Sequence, residues 1–236
     1  MFELIRRLYV KLLARRACYG FNRRLHRLAL SGMGILNYKN DRESGEFKFL
    51  KHYLSGRCGA VLDVGANRGN YTRAVLDASD RLEVIAFEPH PTTFSELSTK
   101  FRNDQRVELV NAGVSDTAGE FELHDYATKD GSTHASLYSE VITELHGSSE
   151  TVSHRVSVLR LDEFITSRAI DRIVLLKVDT EGNEMNVLEG ARNALKERRI
   201  EMIHFEFNEM NAVAQVFFRD FWNFLRPQGF HFYRML

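Results

Sequence analysis

A glycine-rich turn follows the first apolar run of the chain and has the residue types of a ligand-binding site. The run Val61–Val64 contains Asp63 and ends at Gly65, and Gly69 follows four positions later. Glycines let the backbone approach a ligand, and a helix starting after Gly69 presents unpaired N–H groups to a carboxylate. Asp63 suits an ammonium group and repels a pyrophosphate. The turn predicts a site for an amino-acid group such as that of S-adenosylmethionine, although an ordinary strand–helix turn can have the same composition.

A second candidate residue, Glu88, follows the next apolar run. It lies 23 positions beyond Gly65, close to the roughly 20-residue offset at which an acid accepts hydrogen bonds from ribose hydroxyls in nucleotide-binding sheets. Pro89 and Pro91 bias the residues before them toward extended backbone, which helps to hold the carboxylate at the sheet edge. We therefore predict that Glu88 binds a ribose; the alternative is a solvated acid at a strand end.

A third group of polar residues follows two later apolar runs. Strand alternation puts Lys177 and Asp179 on one side of the chain, Glu181 begins the next turn, and Glu206 ends the following strand. The carboxyl ends of parallel strands share one crevice, so these acids are expected near Gly65. Such a cluster is costly unless it is paired or functional. An ion pair of Lys177 with Asp179 or Glu206 that only shapes the site is the alternative.

The elements that position these residues alternate between strand and helix. Short apolar runs separated by helical periodicity predict a doubly wound, mostly parallel α/β sheet covered on both faces. The predicted strands are 60–64, 82–87, 106–110, 172–178, 200–207 and 230–235, and one long helix is predicted over 184–195.

The alternation lapses over residues 111–160, which predict an irregular insertion with short β-like pieces at 120–124 and 152–159. A long insertion of this kind is usually functional, so the polar stretch Asp125–Ser149 is the expected lid over an acceptor, with Arg160 at its border. His134, His154 and His204 are weaker candidates for catalysis, because a lone histidine is more often structural.

Composition limits the class of protein. The 236 residues carry 32 basic and 32 acidic side chains, and this zero net charge argues against a general nucleic-acid binder. Cys18 and Cys58 are too few for a disulfide framework or a thiolate metal cluster, which fits a reducing cytoplasm.

The first 30 residues differ from the remainder in charge, with eight Lys or Arg and one acid, Glu3. Apolar residues recur there at helical spacing, so residues 1–44 are predicted as a basic amphipathic helical extension and residues 45–236 as the main domain. Charged residues interrupt the helix too often for it to span a bilayer. The helix either packs on the domain or lies on the inner face of an anionic membrane.

The ordered motifs resemble the FkbM-type methyltransferase family. The resemblance covers roughly residues 45–210, and its matching segments are 45–50, Val61–Asn70, 87–89, Asn111–Asp116, 159–162, Lys177–Glu184 and Glu206. It implies a class I methyltransferase fold, with S-adenosylmethionine bound by Asp63, Gly65, Asn67, Gly69, Glu88 and Asn111. It also implies methyl transfer to a hydroxyl of a sugar, glycolipid or polyketide-like acceptor. Class I enzymes usually end their sheet with an antiparallel strand pair, whereas this chain stops after one predicted strand, which leaves the sheet edge and the oligomeric state open.

A hydroxyl acceptor benefits from a general base, for which Asp179 or Glu206 is the prediction, with Lys177 and Glu181 completing the catalytic group. A divalent cation held by Asp179, Glu181 and Glu206 is an alternative, because oxygen ligands suit a hard metal. Two other functions remain open. A nicotinamide-dependent oxidoreductase is disfavoured by Asp63 and by the absence of a third glycine in the turn, and the other is a non-catalytic nucleoside-binding module.

Overall fold

The computed structural model describes residues 1–33, 45–127, 131–132, 135–145 and 150–234. The chain divides into two compact units, one formed by Met1–Phe49 with Tyr233–Leu236 and the other by Leu50–Phe232. The predicted domain boundary at residue 44 and the candidate His134 lie outside the described residues.

The first unit contains two helices, α1 (Phe2–Leu13) and α2 (Tyr19–Gly32), separated by a 3-10 turn at Arg16–Cys18. The Tyr9 hydroxyl donates to Asn22 Oδ1, and Asn22 Nδ2 donates to the Leu13 carbonyl at 2.8 Å. These bonds tie the two helices together. None of the helices among the described residues is long and apolar enough to cross a bilayer.

The second unit is built on a five-stranded parallel sheet in the order β3-β2-β1-β7-β8. Its central strands are apolar and buried on both faces, as expected for a sheet covered by helices. Its strands are β1 (Gly59–Val64), β2 (Leu82–Phe87), β3 (Val107–Val110), β7 (Ile173–Val178) and β8 (Ile203–Phe205). The other helices are α3 (Glu46–Leu54), α4 (Asn70–Ala78), α5 (Pro91–Phe101), α6 (Leu161–Ser167), α7 (Glu184–Gly190), α8 (Arg192–Lys196), α9 (Glu209–Val213) and α10 (Phe218–Leu225). The predicted fold class is confirmed.

The register of the sheet aligns the ends of four strands. Val64 pairs with Phe87 on one side and with Val178 on the other, and Val178 pairs in turn with Phe205. The next residue of each strand is therefore in a common row at the carboxyl edge. That row contains Gly65, Glu88, Asp179 and Glu206.

The inserted region is more regular than predicted. It forms a second sheet in the order β4-β6-β5, in which the whole of β5 pairs antiparallel with β6. The two short β-like pieces extend because alternate residues of both strands pack on one apolar face around Leu123 and Val156. The strands are β4 (Gly113–Val114), β5 (Gly119–Tyr126) and β6 (Thr151–Leu159), with a π-helical turn at Val141–Leu145.

The helix predicted over 184–195 is interrupted at Ala191, so the prediction of one continuous helix is wrong. Two contacts explain the break. The Asp162 carboxylate accepts the backbone N–H groups of Asn193 and Ala194, both at 2.9 Å, and so caps the start of α8. Gly190 also packs directly on the Ser115 carbonyl, with no room for a side chain.

The strand predicted at 230–235 is also wrong, because residues 230–234 form no strand; Met235 lies outside the described residues. The aromatic rings in this segment pack against α10 and β8 instead. Phe232 lies 5.2 Å from Trp222 and 6.3 Å from Phe205, centroid to centroid. Of the strand predicted over 200–207, only Ile203–Phe205 forms strand β8. In the described part of the chain, β8 is the last strand of the parallel sheet.

Candidate active site

The predicted site residues meet at the carboxyl edge of the parallel sheet. Lys177 Nζ donates to the Gly65 carbonyl at 2.8 Å and lies 3.3 Å from an Asp179 carboxylate oxygen. An ion pair of Lys177 with Asp179, which the sequence offered as the structural alternative to a catalytic cluster, is therefore present. It joins the glycine turn after β1 to the acids after β7 and β8.

The two glycines of the turn are needed for contacts inside the protein. A Cβ at Gly65 would lie 1.8 Å from the Asp179 carbonyl oxygen, and a Cβ at Gly69 would lie 2.3 Å from the Phe101 ring. Both glycines have φ near +70° to +80°, which disfavours a side chain further. The sequence suggested a close approach to a ligand, whereas the structure shows a close approach to a neighbouring strand end and to α5.

Glu88 is held at the end of β2 by backbone hydrogen bonds. One carboxylate oxygen accepts the N–H of Asn67 and the other accepts that of His90, each at 2.8 Å. Burial raises the pKa of Glu88 to about 7, against the opposing effect of these two bonds. The Asn111 side chain donates to the Glu88 carbonyl at 2.8 Å. Asn67 and Asn111, both predicted to contact the cofactor, thus orient Glu88 in this structure.

Asp63 lies behind the turn and is fully buried. It pairs in register with Lys177 on β7, whose Nζ lies 3.4 Å from Asp63 Oδ1, and its other oxygen accepts the Thr72 hydroxyl at 2.5 Å. The sequence suggested that Asp63 faces the ammonium group of a ligand. The ammonium group that it faces in the structure is that of Lys177, so Asp63 positions this lysine.

The protonation of two carboxyl groups, Glu206 and Glu181, is shifted by burial and by the neighbouring Asp179. Desolvation, followed by repulsion from Asp179 and a hydrogen bond with it, raises the pKa of Glu206 to about 8, although the residue keeps an exposed surface. Burial, then repulsion from Asp179 and Glu206, raises the pKa of Glu181 to about 9. At neutral pH the site therefore holds protonated Glu206 and Glu181 beside Asp179. Such perturbed acids in a crevice are typical of catalytic sites.

Sequence reasoning missed two supports of this acidic site. Buried Glu184 accepts the backbone N–H groups of Thr180 and Gly182 and the Asn211 amide, so it fixes the turn that carries Glu181. Its place at the end of the Lys177–Glu184 motif was the available signal. The Tyr71 hydroxyl lies 2.9 Å from His204 Nδ1. No local pattern indicated that contact, which joins the start of α4 to β8 across 133 positions of sequence.

His204 is a poor general base in this setting. Burial, and then the positive charge of Lys177, lowers its pKa to about 4, so its imidazole is neutral at physiological pH. His154 lies elsewhere, with its ring 4.6 Å from that of His90. Within the described ranges, no group of three or more His, Cys, Asp or Glu side chains is arranged to hold a metal ion. The cation alternative at Asp179, Glu181 and Glu206 therefore lacks support from the geometry.

The described part of the predicted lid reaches the acidic turn. Ser136 Oγ donates to the Glu181 carbonyl at 2.8 Å, and the Tyr138 hydroxyl accepts a hydrogen bond from the Asn186 amide at 3.2 Å. Arg160, predicted to border the acceptor site, lies 4.0 Å from Asp162 and 3.6 Å from Glu163 at the start of α6. These acids direct Arg160 toward α6.

Residues 63–232 match the family described as the methyltransferase FkbM domain. The chain belongs to the FkbM methyltransferase family. The match begins at Asp63 and includes every predicted site residue. Family and fold together imply S-adenosylmethionine as the methyl donor, and they argue against the nicotinamide-dependent alternative.

Three relatives show the range of this similarity. The chain is 33% identical over 135 residues to the hexuronic acid methyltransferase AglP of Haloferax volcanii, covering 57% of this chain and 50% of that protein. It is 30% identical over 170 residues to the 31-O-demethyl-FK506 methyltransferase FkbM of Streptomyces tacrolimicus, covering 62% and 65%. It is 23% identical over 155 residues to the 2-O-methyltransferase NoeI of Sinorhizobium fredii, covering 63% of each. The chain thus spans about half to two thirds of the length of these relatives.

Proposed function

We propose that this FkbM-family chain transfers a methyl group from S-adenosylmethionine to a hydroxyl oxygen of a carbohydrate, glycolipid or related natural product. The names of the three relatives support the acceptor class, since they include a hexuronic acid methyltransferase and two proteins named for O-methyl transfer. The side chains at the sheet edge support the reaction type. Glu88 suits the ribose of a nucleoside, and Asp179 and Glu206 are carboxyl groups that can accept a proton.

The residues of the turn fit S-adenosylmethionine. Each Glu88 oxygen accepts one backbone N–H and keeps a lone pair, so the carboxylate can accept hydrogen bonds from ribose hydroxyls. The start of α4, after Gly69, presents backbone N–H groups that suit the carboxylate of the amino-acid portion. Glu88 would thus hold the ribose of the cofactor, and the backbone N–H groups that begin at Asn70 would hold its amino-acid end.

The bound cofactor supplies a methyl group that is already activated by attachment to a sulfonium. The protein must then align the acceptor hydroxyl, keep water out and accept the hydroxyl proton. Asp179 and Glu206 share a hydrogen bond, and desolvation together with Asp179 raises the pKa of Glu206 to about 8. We assign the proton to a carboxylate oxygen of this pair, because a base whose pKa lies near the working pH is most effective.

The main structural support for this proposal is the position of the Lys177 side chain. Its Nζ contacts both the Gly65 carbonyl of the cofactor turn and the Asp179 carboxylate. One side chain thereby fixes the distance between the place proposed for the methyl donor and the place proposed for the base. The lid segment, which reaches Glu181 through Ser136, covers the acceptor side in this proposal.

Label transfer from methyl-labelled S-adenosylmethionine tests the proposed function directly. The acceptors would be a hexuronic acid-containing glycan, a neutral oligosaccharide and a macrolide with a free hydroxyl. We expect label in a base-stable ether on at least one of them. Binding of S-adenosylhomocysteine without transfer to any hydroxyl acceptor would favour the non-catalytic nucleoside-binding module. Failure to bind S-adenosylhomocysteine would overturn the cofactor assignment as well.

A further inference from the structure

The two helices of the first unit carry large apolar side chains on their surface. No residue of α1 or α2 is buried. In α1, Leu4, Leu8 and Leu12 recur at four-residue intervals and are 51–64% exposed. In α2, Phe21, Leu25 and Leu28 share a face by the same periodicity and are 42–69% exposed. Rows of exposed apolar side chains along a helix face are candidates for an interaction site.

Basic residues accompany both apolar faces. In α1, Arg6 lies opposite the row of Leu4, Leu8 and Leu12, whereas Arg7 and Lys11 flank that row. In α2, Arg23 and Arg27 lie away from Phe21, whereas Arg24 flanks it. Residues 1–33 contain eight Lys or Arg and one acid, Glu3. Glu3 is paired with Arg6 and Arg7 within α1. Residues 1–33 therefore combine exposed apolar side chains with a positive charge that Glu3, the one acid among them, does not balance.

We propose that α1 and α2 dock on the surface of an anionic phospholipid bilayer. Amphipathic helices with a basic polar face lie in the interface with their apolar side chains among the acyl chains, and anionic headgroups attract their Lys and Arg residues. Neither helix is long and apolar enough to cross the bilayer, so the contact is peripheral. The hydrogen bonds that Asn22 makes with Tyr9 and Leu13 hold the helices together as one docking element.

Charge complementarity decides between a membrane and a second copy of the chain. A second copy would bring another set of eight basic residues to the same surface, where like charges repel. Phosphatidylglycerol or phosphatidylserine headgroups supply the opposite charge. The membrane contact is independent of the proposed methyl transfer, and each can fail without the other.

Vesicle flotation of the full-length chain tests this docking. The probes are vesicles of phosphatidylcholine alone and of phosphatidylcholine mixed with phosphatidylglycerol, each at low and high salt. We expect flotation with the mixed vesicles, weakening at high salt because the charges are screened. The triple variant Arg23→Glu/Arg24→Glu/Arg27→Glu should lower the partition coefficient on the mixed vesicles at least ~10-fold. The variant Leu8→Ser/Leu12→Ser should lower the partition coefficient at both low and high salt.

The matched controls are Arg155→Glu and Phe217→Ser, which change exposed residues of the second unit and should float like the wild type. S-adenosylhomocysteine binding and the thermal midpoint would show that every variant is folded. The proposal is overturned if the wild type does not float with mixed vesicles, or if the triple variant floats as well as the wild type. It is also overturned if Leu8→Ser/Leu12→Ser converts a dimer of the chain into monomers without changing flotation.

Discussion

Lys177 Nζ lies 3.4 Å from Asp63 Oδ1, and both side chains are almost completely removed from solvent. Removing one member of such a pair leaves a buried charge without compensation. We expect Lys177→Met to lower the free energy of unfolding by about 3 kcal/mol in urea titrations. Arg155→Met, which removes an exposed pair with Glu120, should change it by less than about 0.5 kcal/mol. Equal effects of the two substitutions would mean that Lys177 does not hold Asp63.

Gly65 and Gly56 offer a comparison of steric effects, because both have φ between +70° and +80°. A Cβ at Gly65 would overlap the Asp179 carbonyl, whereas nothing lies within 4 Å of a Cβ at Gly56. We expect Gly56→Ala to cost about 1 kcal/mol through backbone strain. Gly65→Ala should cost at least about 2 kcal/mol more and should also lower kcat by displacing Asp179. Similar unfolding midpoints for both variants would contradict the close approach of the two strand ends.

Glu88→Gln tests the proposed ribose contact. The new amide group would place an NH2 against a backbone N–H of Asn67 or His90, so a donor would face a donor. Calorimetry should show S-adenosylhomocysteine binding at least ~10-fold more weakly, whereas Glu83→Gln, on the exposed side of the same strand, should bind normally. Because the pKa of Glu88 is about 7, the wild-type affinity should rise as pH increases through 7. An unchanged affinity in Glu88→Gln would remove this residue from the cofactor site.

The pH dependence of kcat tests the carboxyl pair. Glu206, with a pKa of about 8, is protonated at neutral pH and ionises as the pH rises. If the pair accepts the acceptor's proton, kcat should increase with pH and level off above about 8. Glu206→Gln should abolish that inflection and lower kcat about 100-fold, while exposed Glu197→Gln should leave both unchanged. A flat profile in the wild type would exclude the pair as the base.

Glu181 is expected to weaken the fold at alkaline pH. Its folded-state pKa of about 9 is above its ordinary value of 4.5, so the folded state binds the proton more tightly than the unfolded state does. This contribution is fully present below pH 4.5 and is lost as the pH rises to 9. The Gln side chain of the variant Glu181→Gln does not ionise, so this variant does not lose stability through that group at alkaline pH. Its free energy of unfolding should exceed that of the wild type by about 2 kcal/mol at pH 9 and match it at pH 4.5. A constant difference across this range would show that Glu181 does not titrate with a raised pKa.

Much of the site could be predicted from local patterns. The apolar runs that end at Val64, Phe87 and Val178 specified buried parallel strands, and the carboxyl ends of such strands share one edge. That rule was sufficient to bring Gly65, Glu88 and Asp179 together. It did not require knowledge of any side-chain contact.

Partner choice and protonation were decided by the tertiary structure. Asp63 looked like a ligand contact until the register of β1 against β7 placed Lys177 beside it. The helix break at Ala191 and the absence of a strand at residues 230–234 depended on the Asp162 cap and on aromatic packing around Phe232. The raised pKa of Glu206 likewise arises from burial and from Asp179, which is distant in sequence, and that of Glu181 arises from burial and from the nearby charges of Asp179 and Glu206. Local sequence encodes where a strand runs and ends, but desolvation and Coulomb energies depend on distances that exist only once the chain has folded.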